Sequence, residues 1–126
     1  EAHVQIRDGR ARIVYCSPER FASPAFIEAV GRREVDLLAV DEAHCISEWG
    51  HDFRPDYLRL PRVIERLGRP VVMACTATAT EGVATEISQR LGLREPLMIR
   101  AGFDRTTTLP PPRAILNSQS STTFVA

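Results

Sequence analysis

A nearly continuous apolar run, Val35-Asp36-Leu37-Leu38-Ala39-Val40, ends abruptly at two carboxylates, Asp41 and Glu42. Unbroken runs of this kind suit parallel strands covered on both faces, so the run constrains the chain toward an α/β fold. The surrounding pattern agrees. Arg12 to Cys16 reads as a short buried strand stopped by Ser17-Pro18, and Ser23-Pro24 opens a helix whose apolar face is Phe26, Ile27 and Val30 before Gly31. A second short helix is expected between Pro61 and Gly68, followed by a strand over Pro70 to Cys75. Thr78 with Glu81 forms a capping box for a helix bearing Val83, Ala84, Ile87 and Leu91, closed by Gly92, and Leu97-Met98-Ile99 supplies a further strand. Strand and helix in alternation imply right-handed crossovers around a parallel sheet.

Length and composition bound what such a sheet can belong to. The 126 residues suffice for one domain, with 44% apolar and 25% charged residues, the balance of a globular protein. Sixteen acids offset sixteen bases, so no overall basic or acidic field announces a partner. All the bases are arginine, and without lysine the chain holds no G-x-x-x-x-G-K-S/T phosphate loop. Three cysteines without a C-x-x-C pair suggest neither a disulfide framework nor a zinc ribbon, and His3, His44 and His51 match no zinc spacing. A reducing, cytoplasmic setting is the expectation. No apolar run approaches the ~20 residues of a membrane span. The absence of an initiator Met reads as a piece of something longer. Residues 106 to 126, rich in Ser, Thr and Pro, show no usable periodicity and are expected to be a disordered or non-native tail, leaving 1–105 as the folded unit.

The chemistry gathers where the first apolar run stops. Ligands of open α/β sheets collect at the carboxyl ends of strands, which is where Asp41-Glu42-Ala43-His44 falls. An Asp there can hold Mg²⁺ beside nucleotide phosphates, and a Glu one residue on can orient or deprotonate water. A solvated acidic turn would have the same two residues, so context must decide. Trp49, Phe53 and Tyr57 follow at i, i+4 and i+8, a spacing that also fits an amphipathic helix burying an aromatic stripe. Gly50 and Pro55 argue against a continuous helix and for a loop carrying His51 and Arg54, on which rings can stack with bases while Arg pairs with phosphates. Thr76 and Thr78 follow the strand over 70–75, where hydroxyls relay hydrogen bonds or cap the next helix.

Together these segments resemble the RecQ family of DNA helicases, within helicase superfamily two. The resemblance runs from Arg12 to Arg105 and rests on Ser17-Pro18-Glu19-Arg20, Asp41-Glu42-Ala43-His44, Trp49-Gly50-His51-Asp52-Phe53-Arg54-Pro55, Thr76-Ala77-Thr78-Ala79 and Phe103-Asp104-Arg105. It implies the carboxy-terminal part of a first RecA-like (P-loop NTPase-type) lobe, an α/β parallel sheet with flanking helices that lacks the P-loop strand. It further implies that Asp41 binds the Mg²⁺ of MgATP, Glu42 activates the hydrolytic water, and His44 links the nucleotide site to the DNA-sensing loop. Trp49, His51, Phe53 and Arg54 would form that loop, and Thr76 and Thr78 would belong to the coupling motif. The implied parent is an ATP-dependent helicase of 3′-5′ polarity acting on single-stranded and partly duplex DNA. This chain would be inactive alone, since the P-loop segment and second lobe lie outside it. A non-catalytic DNA- or partner-binding remnant is the alternative.

Overall fold

The computed structural model describes residues 2–77, 80–100 and the backbone strand at 122–125. In chain order the elements are α1 (Ala2–Arg7), α2 (Pro24–Gly31), β1 (Leu37–Val40), α3 (Leu60–Arg66), β2 (Val71–Thr76), α4 (Glu81–Leu91), β3 (Leu97–Arg100) and β4 (Thr122–Val125). Short 3₁₀ turns at Pro18–Ala22, Ala43–Ile46 and Pro55–Arg59 join them. The expected α/β organisation is present, and β1 and β2 are the expected parallel pair, with Leu37 opposite Val71 and Val40 opposite Ala74.

Three expectations are corrected. Residues 12–16 form no strand; Ile13 and Tyr15 are 73% and 93% exposed. β-rich composition favours extended backbone, but without a paired neighbour among the described residues it does not make a strand. Helix α4 is capped by Thr80, whose hydroxyl accepts from the Val83 N–H at 3.4 Å, so the expected Thr78 box is displaced by two residues. Thr78 itself lies outside the described residues, as do Phe103, Asp104 and Arg105. Finally, Thr122–Val125 is a strand within the stretch expected to lack structure. It sits between β2 and β3, antiparallel to both, giving the order β1-β2-β4-β3. Its Thr-Thr-Phe-Val sequence is β-favouring, and it supplies backbone partners to two edges that would otherwise stay open.

The sheet is covered on one face. Val40, Val72 and Ala74 pack with Ala43, Ile46, Tyr57, Leu60, Ile64, Ala84, Ile87 and Leu91 in the main core. Helix α4 reaches this core because Ala84, Ile87 and Leu91 recur at helical spacing and are essentially inaccessible. Full burial of an Ile or Leu contributes ~1.5–3 kcal/mol, so this one face anchors the helix. Gly92 ends it in the left-handed region at φ 67°, where a side chain would be strained. The opposite sheet face presents Leu37, Val71, Leu97 and Ile99, each about half exposed. A smaller cluster of Ile6, Phe26 and Ala29 joins α1 to α2. No helix among the described residues is long and apolar enough to cross a membrane.

Candidate functional site

The site begins with a sharp exit from β1. Glu42 adopts φ 50° and ψ 43°, left-handed values that cost a non-glycine residue ~1–3 kcal/mol. The bend sends Ala43, Cys45 and Ile46 into the core at 0%, 6% and 1% exposure, and leaves Asp41 and Glu42 at the strand end. Ala43 is therefore small for a packing reason. Asp41 is fixed twice: its Oδ1 accepts the Glu42 N–H at 2.9 Å, and its carbonyl accepts the Tyr57 hydroxyl at 3.0 Å. Burial pushes the Tyr57 phenol up to about 12, so it remains a donor throughout the physiological range.

His44 is the hub. Its Nδ1 lies 2.8 Å from Thr76 Oγ1 and 3.3 Å from Glu42 Oε2, while Nε2 lies 3.4 Å from Asp52 Oδ2. A neutral imidazole has one donor and one acceptor nitrogen, and the Thr76 hydroxyl can serve in either role. One side chain thus touches the end of β1, the end of β2 and the loop beyond. Cys45 Sγ is 3.9 Å from Nε2, and burial, followed by the charges of Glu42 and Asp52, pushes its thiol pKa up. That thiol is a poor metal ligand.

The aromatic stripe is a loop, as Gly50 and Pro55 implied, and its three rings have separate environments. Trp49 is 90% exposed, Phe53 is half-buried, and Tyr57 belongs to the core. Glu42, His44, His51, Asp52, Phe53 and Arg54 line an open groove of about 520 Å³ together with Cys45. The structure therefore brings Glu42, His44, Thr76, His51, Phe53 and Arg54 into one neighbourhood and sets Trp49 apart in solvent. Arg54 is engaged: its guanidinium pairs with Glu19 and lies 5.9 Å from the centre of the Tyr57 ring. Hydrogen bonds from the Ser17 hydroxyl and its own backbone, with Arg54 adding to them, hold the Glu19 carboxyl below its usual range. The Ser17-Pro18-Glu19-Arg20 segment is thereby tied to the loop.

Sequence reasoning placed Asp52, Tyr57 and Glu19 in its motifs but gave none of them a role in the site. Asp52 carried a signal, as a carboxylate inside the aromatic loop, but only the fold places it against His44. Among the described residues no group of three or more His, Cys, Asp or Glu is arranged to hold a metal ion. Asp41 offers a hard oxygen ligand of the kind Mg²⁺ takes when substrate phosphates and water complete its shell, so the donor chemistry fits that mode.

A strand-end Asp-Glu pair, a histidine joining two strand ends and part of an aromatic loop thus share one neighbourhood. Residues 1–86 match the DEAD/DEAH box helicase family model, and the chain belongs to that family. The resemblance to RecQ helicases is also borne out. The chain is 42% identical over 101 residues to the ATP-dependent DNA helicase RecQ of Bacillus subtilis, covering 79% of this chain and 17% of that protein. It is 46% identical over 85 residues to the probable ATP-dependent DNA helicase RecS of the same organism, covering 68% and 17%. Against the mouse ATP-dependent DNA helicase Q5 it is 45% identical over 92 residues, covering 70% and 9%. The chain thus spans less than a fifth of the length of these curated relatives.

Proposed function

We propose that this chain supplies the hydrolytic and DNA-coupling part of the first RecA-like lobe of an ATP-dependent DNA helicase. The observation that carries the reading is His44, within 3.4 Å of Glu42, Thr76 and Asp52 at once. Asp41 would hold Mg²⁺, which supplies charge neutralisation at the phosphates when MgATP is bound. Glu42 orients or deprotonates the attacking water, and His44 ties that carboxylate to the loop. Trp49 offers a stacking face to single-stranded DNA; His51, Phe53 and Arg54 line the groove beside it, and Thr76 and Thr78 stand in the coupling segment. Residues 1–105 are the lobe segment proper. Translocation with 3′-5′ polarity and duplex unwinding are what the RecQ relationship supports for the full-length protein. The 126-residue chain has no lysine and no phosphate loop, so alone it would hydrolyse no ATP.

The test is Trp49→Ala in the full-length protein. Stacking on an aromatic ring is worth ~1–3 kcal/mol per base, so DNA-stimulated ATP hydrolysis should need higher DNA concentrations while basal hydrolysis holds. A proportional fall in both rates would make the loop a structural element.

A further inference from the structure

Trp49 is 90% exposed, yet the residues just before it are held firmly. Ser47 is 2% exposed, and its hydroxyl donates to Glu86 Oε2 at 2.6 Å, across from the first turn of the loop to the middle of α4. The other Glu86 oxygen accepts from Arg90 Nε at 3.1 Å, and Arg90 Nη1 reaches back 3.2 Å to Glu48 Oε1. Two consecutive loop residues and two helix residues one turn apart therefore form a closed circuit, Ser47 to Glu86 to Arg90 to Glu48. The helix that carries it is seated through Ala84, Ile87 and Leu91, so the anchor is attached to the core. Backbone hydrogen bonds then continue the support outward, from the Gly50 N–H to the Ser47 carbonyl and from the Arg54 N–H to the Cys45 carbonyl.

We infer that Ser47, Glu86 and Arg90 are positioning residues that hold the root of the Trp49 loop on α4, so that the indole is presented to single-stranded DNA in a preset orientation. This deepens the proposed function and rests on its reading of Trp49. The circuit is a second tie between the loop region and the later part of the chain, distinct from the His44–Thr76 contact because it leaves from the other side of Ile46 and ends on α4 rather than on β2. None of the three side chains lines the groove; the nearest link is the Ser47 N–H, which donates to the His44 carbonyl at 3.1 Å. Their effect is on order: a loop already fixed binds without the cost of fixing it.

Trp49 is the chain's single tryptophan, so its fluorescence reports this loop alone. In the 126-residue chain, time-resolved anisotropy of Trp49 should show nanosecond motion of larger amplitude in Ser47→Ala, Glu86→Ala and Arg90→Gln. Arg90→Gln opens no buried cavity and removes two links at once, which guards against misfolding in the other two. Arg32→Gln, which breaks the ordinary helical pair with Glu28, should leave the Trp49 signal as it is. Pairing Ser47→Ala with Glu86→Ala should loosen the loop no more than Glu86→Ala alone, since that change already removes the partner of the Ser47 hydroxyl. In titrations with an oligothymidylate the three variants should need about three- to tenfold more DNA for half-quenching. Unchanged anisotropy in all three, with helix content intact, would overturn the inference. Wild-type fluorescence that ignores the oligonucleotide would instead count against the DNA reading of Trp49, while the anisotropy still decides the anchor.

Discussion

The floor of the site and the loop above it are made from adjacent residues but are held by different forces. Ala43, Cys45 and Ile46 are fixed by apolar packing, and their geometry follows from volume. Residues 48–54 are fixed by side-chain hydrogen bonds and ion pairs, among them Asp52 with His44, Glu48 with Arg90 and Glu19 with Arg54. Packing of a close-packed core is nearly insensitive to salt and has one solution, whereas exposed polar contacts are individually weak and exchange readily. The contrast sets a floor fixed by volume beside a loop whose hold depends on a few named polar contacts, those of Ser47, Glu86, Arg90 and Glu48 among them.

The largest expected effect lies in the floor's chemistry. Glu42→Gln in the full-length protein keeps the shape of the side chain and removes the carboxylate. Turnover should fall by about 10²- to 10⁴-fold with nucleotide binding nearly intact, and steady-state ATPase rates beside nucleotide titrations would show it. If turnover is unchanged, the floor is not the hydrolytic site.

Next is the floor's packing. Ile87→Ala removes a fully buried side chain beneath the turn that follows β1 and should cost ~2–5 kcal/mol of stability, read by denaturant unfolding. A cost below 1 kcal/mol, by the same scale, would mean the floor is not a packed unit.

A smaller effect is expected where floor and loop meet. Tyr57→Phe deletes the hydrogen bond to the Asp41 carbonyl and should cost ~0.5–1.5 kcal/mol. The phenol also gives a pH signature. Its folded pKa is raised from 10.0 to about 12, so the unfolded chain loses this proton first as pH rises. Its contribution is therefore whole below pH 10 and lost between there and about 12. The Phe variant should lack that alkaline decline.

The same contrast separates what was legible in the sequence. Leu37–Val40 and Val71–Thr76 could be read because apolar runs are local, and the Asp41 to His44 motif because its residues are consecutive. Residues 12–16 were misread because strand formation depends on a neighbour that composition does not show. The strand at Thr122–Val125 was hidden for the converse reason: its partners lie about fifty and twenty-five residues back in the chain, a separation without periodic signal. Asp52 meets His44 through the irregular path of the loop, and Glu86 meets Ser47 only through the crossover from β1 to β2 and α4. Polar contacts of this kind leave no pattern of spacing to read.

His44 joins floor and loop through its contacts with Glu42, Thr76 and Asp52. DNA stimulation of ATP turnover in the full-length protein should be compared across His44→Ala, Asp52→Ala and the double variant. Either single change should remove most of the stimulation and the double variant should lose no more, because both cut one connection. Losses that multiply in the double variant would show that the two residues act independently and that the contact between them carries no coupling.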